Sequence, residues 1–158
     1  MAFLKPLALT VTLGAALLMT SSGSFAQDSF QSQLKARKGQ FSLLALNVGV
    51  LGGMARGNMD YDAGLAQEAA ENIVAIAALN QTPLWPEGSD GLSIEGTRAK
   101  PEIWEDFDDF ASKWAAVATA ADGLPDAVGD GVAAIGPALG ALGGTCKDCH
   151  DTYRAPRN

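Results

Sequence analysis

Apolar residues recur along this chain at alternating intervals of three and four, and four separate stretches each draw one stripe along a helix. The first stripe is Leu34, Arg37, Phe41, Leu44, Val48 and Leu51, which predicts a helix from about Ser29 to Ala55, ended by Gly57-Asn58. The second runs Leu65, Ala69, Ile73 and Ile76 to about Leu79, with Asp62 as N-cap and Asn80, Thr82, Pro83 and Pro86 as its stop. The third opens at Pro101-Glu102, since proline suits the first helical position and carboxylates suit the positive end of the helix dipole. Its stripe is Ile103, Phe107, Phe110, Trp114, Val117 and Ala121. The fourth reads Ile135, Leu139, Leu142, Cys146, Cys149 and Tyr153, with first turns weakened by Pro137 and the glycines from Gly129 to Gly144.

No segment alternates with period two, and no Asn-Gly or Asp-Gly turn separates two strand-like runs. The pattern predicts an all-α protein, an antiparallel four-helix bundle with a long loop between helices 2 and 3. That loop, residues 80–100, carries Leu84, Trp85, Leu92 and Ile94 and is expected to pack on the body.

The N-terminus follows a different pattern. Lys5, the apolar run from Leu7 to Met19 and the small-residue site Ser24-Phe25-Ala26 have the layout of a secretory signal. Residues 1–26 are therefore expected to be cleaved, leaving 27–158 as the exported domain. The apolar run is too short for a membrane anchor, so no membrane insertion of the mature protein is expected. Cleavage leaves 132 residues and removes one lysine, taking the formal charge from −7 to −8. With 18 acidic against 11 basic side chains, the chain is no nucleic-acid binder, because phosphate contacts need an excess of cations.

One motif carries specific chemistry: Cys146-Lys147-Asp148-Cys149-His150. Two thiols one helical turn apart suit addition to the two vinyl groups of a haem, and the histidine that follows is then held under the iron as an axial ligand. A structural zinc site needs a fourth protein ligand, and the chain has two cysteines and one histidine. A thiol-disulfide redox pair is the competing reading, although such pairs usually follow a strand at the start of a helix. Arg37, on the apolar stripe one turn before Phe41, calls for an anion or for a path to water. A haem propionate is such an anion, and Lys38, Arg98 and Lys100 are further candidates to meet it.

The C-terminal Cys146-x-x-Cys149-His150-x-x-Tyr153-Arg154, the Pro101-Glu102-Ile103-Trp104 helix start, and Arg37 four residues before Phe41 together resemble cytochrome c′, the class II c-type cytochromes of the bacterial periplasm. The resemblance spans residues 28 to 155. It implies an up-down-up-down bundle in the periplasm, holding one covalent haem c through Cys146 and Cys149 with His150 as metal ligand. In six-coordinate relatives of this fold a methionine occupies the position matching Phe41, so Phe41 implies a five-coordinate haem under an apolar distal wall. Nitric oxide and carbon monoxide are then the expected ligands, with single-electron exchange with a periplasmic redox partner and no enzymatic turnover. Arg154 is implied close to the proximal face. Two alternatives remain: a six-coordinate electron carrier using Met54 or Met59, and the thiol-disulfide protein. Leu43, Leu46 and Ile76 are either core residues or the face of a homodimer.

Overall fold

The computed structural model describes residues 30–157, so the expected signal segment, residues 1–26, lies outside the described residues. Six helices are described: α1 (Gln31–Ala55), α2 (Ala63–Ala77), α3 (Glu102–Glu105), α4 (Phe107–Asp122), α5 (Leu124–Gly129) and α6 (Val132–Tyr153). The four long ones, α1, α2, α4 and α6, form an antiparallel four-helix bundle. In it α1 packs on α2 and α6, and α4 packs on the same two neighbours.

Local chemistry accounts for most of the ends. Helix α1 stops at Gly57, whose φ of 70° puts it in the left-handed region where only glycine is unstrained. The Gly57 N–H then reaches the Met54 carbonyl at 3.0 Å, and Asn58 N–H the Gly53 carbonyl at 2.9 Å, the Schellman pattern. Asp62 caps α2 as expected, its Oδ1 accepting from Leu65 N–H at 2.9 Å.

The third stripe departs from expectation. Its residues do not form one helix from Pro101, because Asp106 leaves the helical region at φ −140°, ψ 74°. Its carboxylate instead caps a new helix, accepting from Asp109 N–H at 3.0 Å, so the single turn α3 and the helix α4 are separate. The fourth stretch is preceded by α5, which the stripes did not predict, and α6 begins at Val132 with Pro137 inside it. In the second stripe Leu65 faces solvent, while Ala66, Ala69, Ala70, Ile73 and Ala77 make the buried face.

The loop between α2 and α3 contains one 3-10 turn, Thr82–Leu84. Trp85 and Ile94 are buried as expected, but Leu92 is 86% exposed. Asp90 holds the loop's shape, its Oδ1 accepting from the N–H groups of Leu92 at 2.7 Å and Ser93 at 2.9 Å. Two apolar clusters result. One, around Leu51, Ile73, Leu124 and Ile135, fills one part of the bundle; the other, Trp85, Ala99, Ile103, Phe110 and Tyr153, lies under the loop.

Candidate functional site

A cavity of about 740 Å³ opens beside these clusters, walled by α1, α4, α6 and the loop. Helix α6 supplies Cys146, Cys149 and His150, all half-buried and all lining the cavity. They share a wall because positions three and four apart lie on one helical face. Helix α1 supplies Arg37 and Phe41 to the cavity lining. The Phe41 ring is 6.4 Å from the His150 imidazole, centroid to centroid, and packs edge-on against Trp114 at 5.9 Å.

The charged groups are arranged around this apolar space. Arg37 is buried, with its guanidinium carbon 4.4 Å from the Trp85 ring centroid. Its Nη1 donates to the Ser89 carbonyl at 3.1 Å and its Nη2 to the Ser89 hydroxyl, while Nε has no partner. Burial pushes its pKa down to about 10, which leaves it charged at neutral pH. The stripe-facing arginine therefore neither reaches water nor meets a carboxylate; an aromatic face and neutral oxygens hold it. Burial also lowers the His150 pKa, helped by the positive charges of Arg154 and Arg98, which keeps the imidazole neutral and able to ligate.

The thiols shift in the other direction. Burial pushes both Cys146 and Cys149 up, and for Cys149 the nearby Lys113 offsets only part of the rise. A redox-active thiol needs a lowered pKa, so these surroundings do not favour the thiol-disulfide reading.

Of the other sequence candidates, Lys38, Arg98 and Arg154 line the cavity. Lys100 does not. Its ammonium donates to the Thr152 carbonyl at 2.7 Å and pairs with Glu102 at 3.1 Å, which ties the loop to the end of α6. Met54 is buried in the cluster around Leu51, Met59 is exposed, and neither lines the cavity. Leu43 and Leu46 are exposed and Ile76 is half-buried, so the first two are not core residues.

Some site residues had no sequence signal as such. Trp85 and Ser89 hold Arg37 from the loop, about fifty positions away. Tyr153 does more than pack, since its hydroxyl donates to Asp109 Oδ2 at 2.7 Å and so joins α6 to α4. Its place one turn after His150 was the available hint.

These residues fit a c-type haem. Two unpaired thiols and a neutral imidazole face one largely apolar cavity, and a buried arginine beside it keeps an unsatisfied N–H. The fold and the attachment motif together define a helical-bundle protein of the c-type haem class. The comparisons name the family within that class: a family model described as cytochrome C′ matches residues 32–154. The cytochrome c′ of Cereibacter sphaeroides is 40% identical over 149 residues, 94% of this chain and 97% of that protein. The chain belongs to the cytochrome c′ family.

Solved structures agree. A Rhodobacter cytochrome c′ superposes with a TM-score of 0.76 at 40% identity, covering 80% of this chain and 98% of that one. A nitric oxide complex of a variant of cytochrome c prime from Alcaligenes xylosoxidans superposes with a TM-score of 0.67 at 28% identity, covering 80% and 96%.

Proposed function

We propose that this protein is a periplasmic gas-binding and electron-exchanging cytochrome, not an enzyme, with its haem covalently held by Cys146 and Cys149 and ligated by His150. A haem so held supplies one-electron chemistry and a coordination position for a neutral diatomic gas. What decides between an open and a closed position is the side chain opposite His150. The observation that carries the reading is Phe41, facing His150 across the cavity with Met54 and Met59 elsewhere. A phenyl ring has no lone pair to give, so the iron is five-coordinate and high-spin.

The chain's own residues shape which ligands enter. Phe41, packed edge-on against Trp114, covers the side opposite His150, and a ligand must displace the Phe41 ring to bind. Phe41 offers no hydrogen-bond donor, which disfavours oxygen storage and peroxide cleavage relative to nitric oxide and carbon monoxide. The nitric oxide complex among the structural neighbours supports the same choice. Arg37 neutralises an anionic edge of the group, and burial, with Arg154 and Arg98 adding to it, lowers the His150 pKa and so favours the neutral imidazole. Export is supported by the pattern of residues 1–26, and no helix among the described residues is long and apolar enough to cross a membrane.

Intact-mass measurement of protein purified from a periplasm tests the assignment. The expected mass is that of residues 27–158 plus one haem, and the double variant Cys146→Ser/Cys149→Ser, which leaves no thiol, loses under acid extraction any haem that the wild type keeps. An apoprotein mass would remove the reading.

A further inference from the structure

The end of α6 and the loop leading to α3 meet in a single antiparallel bridge, Ala99 opposite Arg154. Lys100 N–H donates to the Tyr153 carbonyl at 3.0 Å, and Ala155 N–H to the Arg98 carbonyl at 2.9 Å. The Arg98 side chain adds a bond from Nη1 to the Ala155 carbonyl at 3.2 Å. Segments more than fifty positions apart are thus held side by side, which brings Arg98 and Arg154 to one hollow, with Arg157 three positions further along the chain. They lie close enough that Arg154 and Arg157 add to the desolvation that lowers the Arg98 pKa.

Gathering like charges opposes folding. Packing does not require it either, since Arg154 and Arg157 are exposed. The four ion pairs among the described residues involve Lys100, Lys113 and Lys147, so none of the three guanidiniums has a carboxylate partner among the described residues. Two acids on these segments are engaged elsewhere, Glu102 with Lys100 and Asp151 with Lys147. On a chain of net charge −7 this is a local reversal of sign.

Its position is informative. A shallow hollow of about 350 Å³ lies here, lined by Arg98, Lys100, His150, Asp151 and Arg154 among others. His150, Arg98 and Arg154 line the large cavity as well. The hollow is therefore the outer side of the wall that carries the ligating imidazole.

We propose that the Arg98, Arg154 and Arg157 cluster is the docking surface for an acidic face of a redox partner protein. The inference rests on the haem reading above. Exposed cations hold a small anion weakly, because water and salt screen each contact, whereas a broad acidic face sums them and takes an orientation from them. A net-negative chain with a local positive patch turns that patch toward an acidic partner, which brings the His150 wall to it. The transfer moves one electron and neither a proton nor a bond: the partner's centre is oxidised by one, and this protein is reduced by one.

Local and net charge predict opposite salt effects, which makes the test direct. The reduced holoprotein is oxidised by ferricyanide, a trianion that takes one electron and becomes ferrocyanide. The expected rate falls about tenfold as ionic strength rises from about 10 mM to about 300 mM, because screening removes the attraction. Net charge alone gives a rate that rises. Arg157→Glu, an exposed site, and Arg98→Glu are expected to flatten or reverse the slope, while Arg56→Glu, at the far end of α1, leaves it unchanged. A rising wild-type rate, or a slope indifferent to Arg157→Glu and Arg98→Glu, overturns the proposal.

A second readout does not use electron transfer. Oligoglutamate peptide at low salt is expected to shift the amide resonances of residues 97–100 and 153–157, and Arg157→Glu to abolish the shift. If inorganic phosphate at the same ionic strength saturates these shifts, the cluster is a small-anion pocket and the docking proposal fails. Protein that carries covalent haem yet fails these tests sinks only the docking surface. Protein without haem sinks the function proposed above.

Discussion

Phe41 has two neighbours that set how it behaves, the Trp114 edge and the His150 ring. An aromatic edge contact is worth roughly 0.5–1.5 kcal/mol beyond its area, and a ligand that pushes the ring aside forfeits it. Phe41→Ala is therefore expected to speed carbon monoxide association by about tenfold, the rate equivalent of the upper end of that range. Flash photolysis measures it, and an unchanged rate would mean that another side chain guards the cavity. Arg37 shows where residue-level reading of a sequence stops. Its position on the apolar stripe left two outcomes open, burial against an anion or a path to water, and the structure buries it against neither a carboxylate nor solvent. The partners that make burial tolerable, Trp85 and Ser89, come from a loop whose path no periodicity encodes. Lys100 marks the opposite limit: its charge suggested a propionate contact, and its reach to the Thr152 carbonyl and Glu102 gave it another task.

Among elements, the bundle was legible because four stripes of threes and fours need only local sequence. The break at Asp106 was not, since Ile103, Phe107 and Phe110 keep the helical period straight through it. Only the capping geometry, Asp106 accepting from the amide three positions on, reveals two helices. The α2 face misled in another way. Ala69 and Ile73 of the predicted stripe are buried, but Leu65 is not, and Ala66, Ala70 and Ala77 complete the buried face; a rule weighted to large side chains undervalues small ones.

The loop between α2 and α3 depends on one carboxylate. Burial tends to raise the Asp90 pKa, but the Ser93 hydroxyl and the N–H groups of Leu92 and Ser93 donate to the carboxylate and bring it below its ordinary value of 3.8. The folded chain therefore holds this proton less tightly than the unfolded one. The stability that results is present above the unfolded pKa, about pH 4, and is lost as pH falls through the lower folded value. Such charge-assisted bonds are worth about 1.5–3 kcal/mol. Thermal unfolding of wild type and Asp90→Asn should differ most near neutral pH and converge in acid. A difference that does not change with pH would contradict this assignment.

For the whole molecule, the exposed leucines of α1 and α2 raise the question of assembly. Leu43 is 52% exposed and Leu46 63%, with Leu65 of α2 also on the surface. Solvent-facing leucines on two adjacent helices favour a second copy of the chain as cover. Sedimentation of the holoprotein is expected to give twice the monomer mass, and Leu46→Glu to give the monomer. A wild-type monomer at high concentration would contradict it. The cofactor class was readable from five consecutive residues because the haem's vinyl spacing imposes the cysteine spacing. What stands opposite His150 was not readable from spacing alone, since it depends on α1 and α6 facing each other across one cavity.

The central claim of the proposed function is that none of the described residues closes the iron position opposite His150. The ferric electronic and spin-resonance spectra of the purified holoprotein test it most directly. High-spin signals that convert on addition of nitric oxide are the predicted result, with Phe41→Met turning the iron low-spin. A low-spin wild-type spectrum with a methionine-to-iron band would contradict the account.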